Sequence, residues 1–290
     1  MKTSMDGGQR GLLAPALGVT KIGRREFRWG ERTYVMGIIN MTPDSFSGDG
    51  LGTDVEAALA QARRFVEEGA DLIDVGGEST RPGSAPVPLE EELCRVLPVV
   101  ERLAAALETP ISIDTYKAEV ARQALAAGAA LINDVWGFKH DPEIAQVAAT
   151  YGAPAVLMHN RKEGVHVDVV AEVLRELQES IDIARRAGVP WENIIVDPGI
   201  GFGGKGPEEN LALLRDLPEL KALGRPILVG TSRKSTIGKV LGLPPDQRLE
   251  GTAATVAISI AHGAEIVRVH DVREMMRVVR MSDAIVRGRW

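Results

Sequence analysis

Ile194-Ile-Val-Asp197-Pro-Gly-Ile-Gly-Phe202 is a short apolar run closed by a carboxylate and followed by a glycine-rich turn. A run with no polar face suits a strand covered on both sides, as in a parallel sheet. Working outward, the pattern recurs seven times: Val35-Met-Gly-Ile-Ile-Asn40, Leu72-Ile-Asp-Val-Gly-Gly-Glu78, Ile111-Ser-Ile-Asp114, Leu131-Ile-Asn-Asp134, Ala155-Val-Leu-Met-His159, Ile227-Leu-Val-Gly230 and Ile266-Val-Arg-Val-His270. Nearly every run ends in polar or charged residues. In a parallel α/β barrel the strand carboxyl ends share one rim, where residues distant in sequence converge. That rim is the expected active site.

Helix-length segments separate the runs. Thr53-Asp-Val-Glu56 reads as a capping box, followed by Val55, Leu59, Ala62 and Val66 on one face and stopped by Gly69. Asp168 opens a second helix, with Val170, Val173, Leu174, Leu177, Ile181 and Ala184 as its stripe before Gly188. Residues 207–223 have similar leucine spacing, with Pro218 expected to kink or divide the helix. Further helices are expected over 89–107, 251–262 and 272–285. Eight repeats without a separate edge strand or second domain favour a closed α/β (β/α)8 TIM barrel over an open doubly wound sheet. The barrel is expected over residues 35–290 as a single domain. Residues 1–34 form an N-terminal extension, in which Phe27-Arg-Trp-Gly-Glu-Arg-Thr-Tyr34 reads as a hairpin around Gly30 covering the barrel's amino-terminal end. The tail before it is expected to be mobile.

A chain of 290 residues suffices for one such barrel, which commonly needs roughly 250. Net charge is −6 with both signs interspersed, so there is no broad basic face for nucleic acid or an anionic membrane. The single cysteine, Cys94, lies within a helical pattern and reads as a buried, inert thiol compatible with a reducing compartment. The first thirty residues lack a signal-peptide core, and no run approaches a membrane span. A soluble, cytoplasmic protein is expected.

The run ends carry the chemistry. Asn40-Met-Thr-Pro-Asp-Ser-Phe-Ser47 offers hard oxygen ligands suited to magnesium held chiefly by a phosphate ester, although turns use the same residues merely to satisfy backbone groups. Gly76-Gly-Glu-Ser-Thr-Arg-Pro-Gly83 sets Arg81 beside hydroxyls, as an anion site requires; a stiffened loop with Arg81 in solvent is the alternative. Asp114, Asn133 and Asp197 stand at strand ends where a carboxylate is costly to bury without donors. A helix cap accounts equally well for any one of them; three together favour one ligand. Adjacent ring N–H donors, as in an aminopyrimidinone, would satisfy Asp197. Thr231-Ser-Arg-Lys-Ser235 opens a helix, where free N–H groups favour an anion, and Arg268-Val-His270 offers a guanidinium and an imidazole on one face. The other histidines fit no metal-ligand spacing, and no cysteine pair or Ser/His/Asp arrangement is evident, which argues against hydrolysis by a bound transition metal.

In order and at successive run ends, Asn40–Ser47, Gly76–Gly83, Ser112-Ile-Asp-Thr115, Asn133-Asp-Val135, Asp197–Phe202, Ser232-Arg-Lys-Ser235 and Arg268-Val-His-Asp271 resemble the dihydropteroate synthase family. That family joins a dihydropterin pyrophosphate to 4-aminobenzoate, giving 7,8-dihydropteroate for folate synthesis. The resemblance implies that Asp114, Asn133, Asp197 and Lys234 hydrogen-bond the pterin, that Met158 and Phe202 line its pocket, and that Arg268 stacks on the ring. It further implies that Asn40, Arg268 and His270 bind pyrophosphate with Mg2+, for which Asn40 is the protein ligand. Phe46, Thr80, Arg81, Pro82 and Ser235 are implied to shape the 4-aminobenzoate site, and Asn40, Arg81, Asp114 and Lys234 to act in catalysis. Loops 41–52 and 79–88 are implied to order only with substrates. A homodimer and a sulfonamide target are implied as well. Two departures from the family stand out: the order Gly48-Asp49 after Ser47, and the charged His159-Asn-Arg-Lys-Glu-Gly164 after the fifth run. The competing readings are a pterin-binding methyltransferase that passes a methyl group from a folate to a corrinoid protein, and a non-catalytic pterin-binding paralogue.

Overall fold

A computed structural model describes residues 17–42, 50–79, 84–162 and 167–288. An antiparallel hairpin, β1 (Val19–Ile22) and β2 (Arg25–Arg28), comes first. Eight parallel strands follow: β3 (Tyr34–Asn40), β4 (Leu72–Gly76), β5 (Ile111–Asp114), β6 (Leu131–Asp134), β7 (Ala155–Met158), β8 (Ile194–Asp197), β9 (Leu228–Val229) and β10 (Ile266–Val269). They are ordered β8-β7-β6-β5-β4-β3-β10-β9, and a parallel bridge between Val196 and Ile227 joins the two ends of the row. The eight apolar runs are the eight barrel strands, so the expected (β/α)8 barrel is the observed fold. Between and after them lie α1 (Val55–Glu67), α2 (Leu89–Ala106), α3 (Ala118–Ala126), α4 (Glu143–Tyr151), α5 (Val169–Ala187), α6 (Pro207–Arg215), α7 (Ser235–Leu241), α8 (Leu249–Ala261) and α9 (Val272–Arg287).

Strand register separates two cores. Met36 pairs with Leu72, Asp74 with Ser112, Asp114 with Asn133, and Met158 with Asp197, so these positions share the barrel's inner face by the two-residue period. At the amino-terminal end that face is apolar: Met36, Leu72, Leu131, Val156, Ile195, Leu228 and Ile266 form one cluster with Ile22, Phe27, Trp29 and Tyr34. The alternate residues, among them Val35, Ile73, Ile113, Ile132 and Val267, pack outward against the helices. One step further along, the inner face turns polar.

The hairpin does cover the amino-terminal end, but its turn is not at Gly30. The chain reverses at Gly23-Arg24, a two-residue loop in which Gly23 has φ +58°, as tight hairpins require. Gly30 instead bends the chain towards β3, donating its N–H to Glu265 Oε2 at 2.7 Å. Residues 19–26, expected in a mobile tail, are therefore strand and turn; residues 1–16 lie outside the described residues. Phe27 sits 4.7 Å from the Tyr34 ring and is buried in the inner-face apolar cluster, so Phe27→Ala should cost about 3–5 kcal/mol, read by urea denaturation, through the cavity it leaves in the barrel floor.

Helix boundaries follow local chemistry. Asp54, one residue after Thr53, caps α1 by accepting from Ala57 N, and Phe65 joins its buried face. The cap at Asp168 and the left-handed Gly188 bound α5 as expected. The chain divides before Pro218, with α6 ending at Arg215 and a 3-10 turn over Leu217–Leu223. Cys94 is exposed, contrary to the expected burial. It shares the outer face of α2 with Pro98, four residues on, while Leu93, Val96, Val100 and Leu103 face inward. Among the described residues no helix is long and apolar enough to cross a membrane.

Candidate active site at the strand carboxyl ends

Where the inner face turns polar, Arg268 of β10 spans the mouth. Its Nε donates to Asp74 Oδ2 and its Nη2 to Asp114 Oδ2, both at 2.6 Å. Asn133 Nδ2 donates to the same Asp74 oxygen at 3.1 Å. Three strands, β10, β4 and β5, thus meet through one guanidinium, and β6 joins them through Asp74. A buried ion pair is tolerated only when its remaining atoms are satisfied, and here some are not. Asp74 Oδ1, Asp114 Oδ1 and Ser112 Oγ are buried without a hydrogen-bond partner among the described residues. Acceptors left unmet in this way call for a ligand that brings its own N–H donors.

The electrostatics agree. Burial pushes the Asp114 carboxyl up from its usual range; Arg268 opposes this, and Asp74 adds to it. Asp197 is also raised by burial, against the pull of the Lys234 ammonium and the Gly199 N–H. Burial alone would lower Arg268, but Asp74 and Asp114 outweigh it and hold the guanidinium above its usual range. Asp134 is raised to about 7, chiefly by burial, and its carboxylate accepts from Trp136 N and Phe138 N, which shapes the turn after β6.

The other half of the mouth comes from β7, β8 and the turn after β9. Met158 ends β7 and is buried opposite Asp197. Asp197 Oδ1 accepts from Gly199 N at 2.7 Å, which curls the β8 loop back over the strand end. Gly199 has φ +68°, and a Cβ there would stand 2.0 Å from the His159 carbonyl oxygen; only glycine fits. Phe202, half-buried on this loop, lies under the Lys234 ammonium, 4.5 Å from its ring centroid. Lys234 also donates to the Ile200 carbonyl. Arg233 takes the left-handed φ of +56° and pairs with Asp271, a contact that turns Lys234 towards the β8 loop. Ser232 Oγ lies 2.8 Å from His270 Nδ1, so the β9 and β10 ends are joined too. Ser235 is exposed at the first position of α7.

Asp114, Asn133, Met158, Asp197, Phe202, Lys234, Arg268 and His270 therefore gather at one mouth. Asn40 stands beside it, half-buried at the end of β3 and bridged to Gly50. Phe46, Thr80, Arg81, Pro82, the Gly48-Asp49 pair and Gly164 lie outside the described residues. Among the described residues no group of three or more His, Cys, Asp or Glu could hold a metal. The donor set at Asn40 fits magnesium carried mainly by a ligand's phosphates and does not fit a protein-built cage.

Sequence reading passed over Asp74, fully buried at the centre of the ion-pair network. The signal was present, since an acid flanked by Ile73 and Val75 must face the opposite side from both. Asn210 was also missed: its Oδ1 accepts from Gly201 N at 2.7 Å while its Nδ2 donates to the Gly206 and Lys205 carbonyls, pinning the β8 loop from α6.

The family model described as pterin binding enzyme matches residues 36–270. A dihydropteroate synthase of Clostridium beijerinckii is 53% identical over 268 residues, covering 92% of this chain and 99% of that protein. A dihydropteroate synthase structure from Clostridium difficile, determined with pteroic acid present, superposes with a TM-score of 0.86 at 50% identity, covering 90% of this chain and 99% of that one. One from Xanthomonas albilineans, with 4-aminobenzoic acid, gives a TM-score of 0.86 at 46% identity and covers 92% and 97% of the two chains. With half of its residues identical across nearly its whole length, the chain belongs to the dihydropteroate synthase family of pterin-binding enzymes.

Proposed function

We propose that this protein condenses 6-hydroxymethyl-7,8-dihydropterin pyrophosphate with 4-aminobenzoate, giving 7,8-dihydropteroate and pyrophosphate. The observation that carries the reading is the set of unmet buried acceptors around Arg268, next to Asp197 and Lys234. A pterin ring supplies the missing N–H donors, and the guanidinium, fixed edge-on by two carboxylates, leaves its face for stacking.

The chemistry follows from the partners. An aniline nitrogen is a poor nucleophile, whereas the electron-rich dihydropterin stabilises positive charge at its exocyclic carbon. The C–O bond therefore breaks first, its electron pair leaving with pyrophosphate. The amine nitrogen then bonds to that carbon and gives up a proton that has become acidic, so no dedicated base is required. Asp114, when ionised, favours the cationic ring, and Arg268 and His270 offset charge on the departing pyrophosphate. Mg2+, when bound through the pyrophosphate with Asn40 as its protein ligand, supplies further neutralisation of the leaving group. Phe46, Thr80, Arg81, Pro82 and Ser235 are assigned to the 4-aminobenzoate side on the strength of the family resemblance.

The test is pyrophosphate release from the dihydropterin substrate, with and without 4-aminobenzoate and magnesium. Release that needs both supports the proposal. Pterin binding without release points to a non-catalytic paralogue, and methyl transfer to a corrinoid acceptor points to the methyltransferase reading; either result sinks it.

A homodimer and a cytoplasmic location belong to the same proposal. Leu241, Ile258, Met281 and Ile285 are exposed on the neighbouring helices α7, α8 and α9, an apolar face suited to a second copy. Ile285→Glu should convert a dimer to a monomer by light scattering with turnover chemistry still measurable; a monomeric parent protein would refute the dimer. The one cysteine, Cys94, has no disulfide, as a reducing compartment permits.

A further inference from the structure

The turn that delivers Lys234 to the mouth is held from behind by α8, through contacts that the proposed chemistry does not use. Arg233 takes a left-handed φ of +56°, which an L residue adopts only at a cost. Both peptide units flanking its Cα are fixed. Its N–H donates to Thr252 Oγ1 at 3.1 Å, and its carbonyl accepts from Arg248 Nη1 at 2.9 Å. The other end of that second unit, the Lys234 N–H, donates to the Thr231 carbonyl at 3.1 Å. A further α8 residue joins them: Thr255 Oγ1 donates to Thr231 Oγ1 at 2.8 Å. Arg248, immediately before α8, and Thr252 and Thr255 within it are spaced to share one side of the helix, and that side is polar where it meets the turn. From this turn the Lys234 ammonium reaches the Ile200 carbonyl and stands 4.5 Å from the Phe202 ring centroid.

We propose that Thr252 and Arg248 are positioning residues for pterin recognition, fixing the Arg233–Lys234 backbone so that the Lys234 ammonium meets the ring. This rests on the reading of Lys234 as a pterin ligand. A peptide unit is planar, so the orientation of the one between Arg233 and Lys234 sets the direction in which the Lys234 side chain leaves the backbone. Two observations separate this role from plain support of α8. The helix does not need the Thr252 hydroxyl, because its first turn is closed by the backbone bond from Thr252 N to the Arg248 carbonyl at 2.9 Å. Room for the guanidinium is made by α7: a Cβ on Gly238 would stand 2.1 Å from Arg248 Nη2. Gly238 is absent from the glycines with positive φ and lies inside a helix, where glycine is unfavourable, so what it supplies is space. The Asp271 pair holds the Arg233 side chain and leaves its φ to the two peptide contacts.

Loss of either contact lets Arg233 relax towards negative φ and swings Lys234 away from the mouth. The Thr252 contact is the cleaner one to remove. Thr252→Val keeps the side-chain shape and leaves the Arg233 N–H without its acceptor, whereas Thr252→Ser keeps the hydroxyl. Gly238→Ala attacks the other contact without touching the arginine, since the added methyl collides with the guanidinium. A positioning residue can lose no more than the contact it positions, so neither change should weaken pterin binding further than Lys234→Met does.

The experiment measures the affinity of the full chain for 6-hydroxymethylpterin by calorimetry, for the parent, Lys234→Met, Thr252→Val, Thr252→Ser and the double variant that combines Lys234→Met with Thr252→Val. Lys234→Met should bind roughly tenfold more weakly, the order of one hydrogen bond to a charged group. Thr252→Val should bind roughly fivefold more weakly, Thr252→Ser should match the parent, and the double variant should bind no more weakly than Lys234→Met alone. If Thr252→Val costs the same factor with and without Lys234, it acts through general support of the barrel and the proposal is overturned. Binding by Thr252→Val that equals the parent's overturns it too. Should Thr252→Val fail to fold, Gly238→Ala decides through the same cycle with the same expectations. A Lys234→Met variant that binds the pterin as tightly as the parent overturns the reading of Lys234 and takes the proposal with it, so that single variant tells the two failures apart.

Discussion

Arg268→Met should destabilise the fold by about 3–5 kcal/mol and reduce kcat/KM roughly 10^3-fold, because it strips the shared partner from two buried carboxylates. Asp74 is wholly buried and Asp114 nearly so, and each gives one oxygen to the guanidinium. Lysine would not rescue the site, since a single ammonium cannot reproduce the two separate N–H contacts made by the planar fork. The loss also carries a pH signature. Arg268 opposes the upward shift that burial imposes on Asp114, so without it that carboxyl rises further above its unfolded value. A carboxyl raised in the folded state contributes stability at low pH and loses it as pH rises through the folded value. The deficit of Arg268→Met should therefore be smaller near about pH 5 than near about pH 8, read by urea denaturation at the two values. A deficit that grows on acidification would show that the guanidinium is not offsetting Asp114.

Gly199→Ala should be the most damaging small substitution in the mouth. A methyl there meets the His159 carbonyl at 2.0 Å, and the residue would be held at φ +68°. The strain alone is worth about 1–3 kcal/mol, and the collision forces the β7 and β8 ends apart. A loss above about 3 kcal/mol is expected, together with weaker pterin binding, because Asp197 and Met158 flank the collision. Gly152→Ala is the control: it has a similar φ of +60° with nothing within 4 Å, so it should cost only about 1 kcal/mol. Equal losses at the two positions would mean that close approach of the strands is not what fixes the loop.

Much of the molecule was legible because burial on both faces leaves a plain trace. Parallel barrel strands are covered on both faces and so read as near-continuous apolar runs; each Ile, Leu or Val run named its strand, and the first polar residue after it named the rim. Asp114, Asn133 and Asp197 could be read in that way. Asp74 was passed over because it lies inside its run: alternation sets it opposite Ile73 and Val75, but register is what shows that it shares a face with Asn133 and Arg268. The hairpin was placed around the wrong glycine: Gly23 and Gly30 both have positive φ, and contact with Glu265, distant in sequence, decides which one bends the chain towards the barrel. Cys94 was misjudged because a helical pattern gives the period and leaves the phase to tertiary packing. Asn210 has no local signature at all, since its partner, the Gly201 amide, is brought to it by the loop itself.

The central claim is that side chains from separate strands hold one pterin ring at the barrel mouth. A crystal structure of this protein with pteroic acid tests it most directly. The account predicts the ring against Arg268, its N–H groups on Asp197 and on the unmet oxygen of Asp114, and its benzoate end directed out of the barrel. A ring bound elsewhere, or one that leaves Asp114 and Asp197 without a ligand contact, would contradict it.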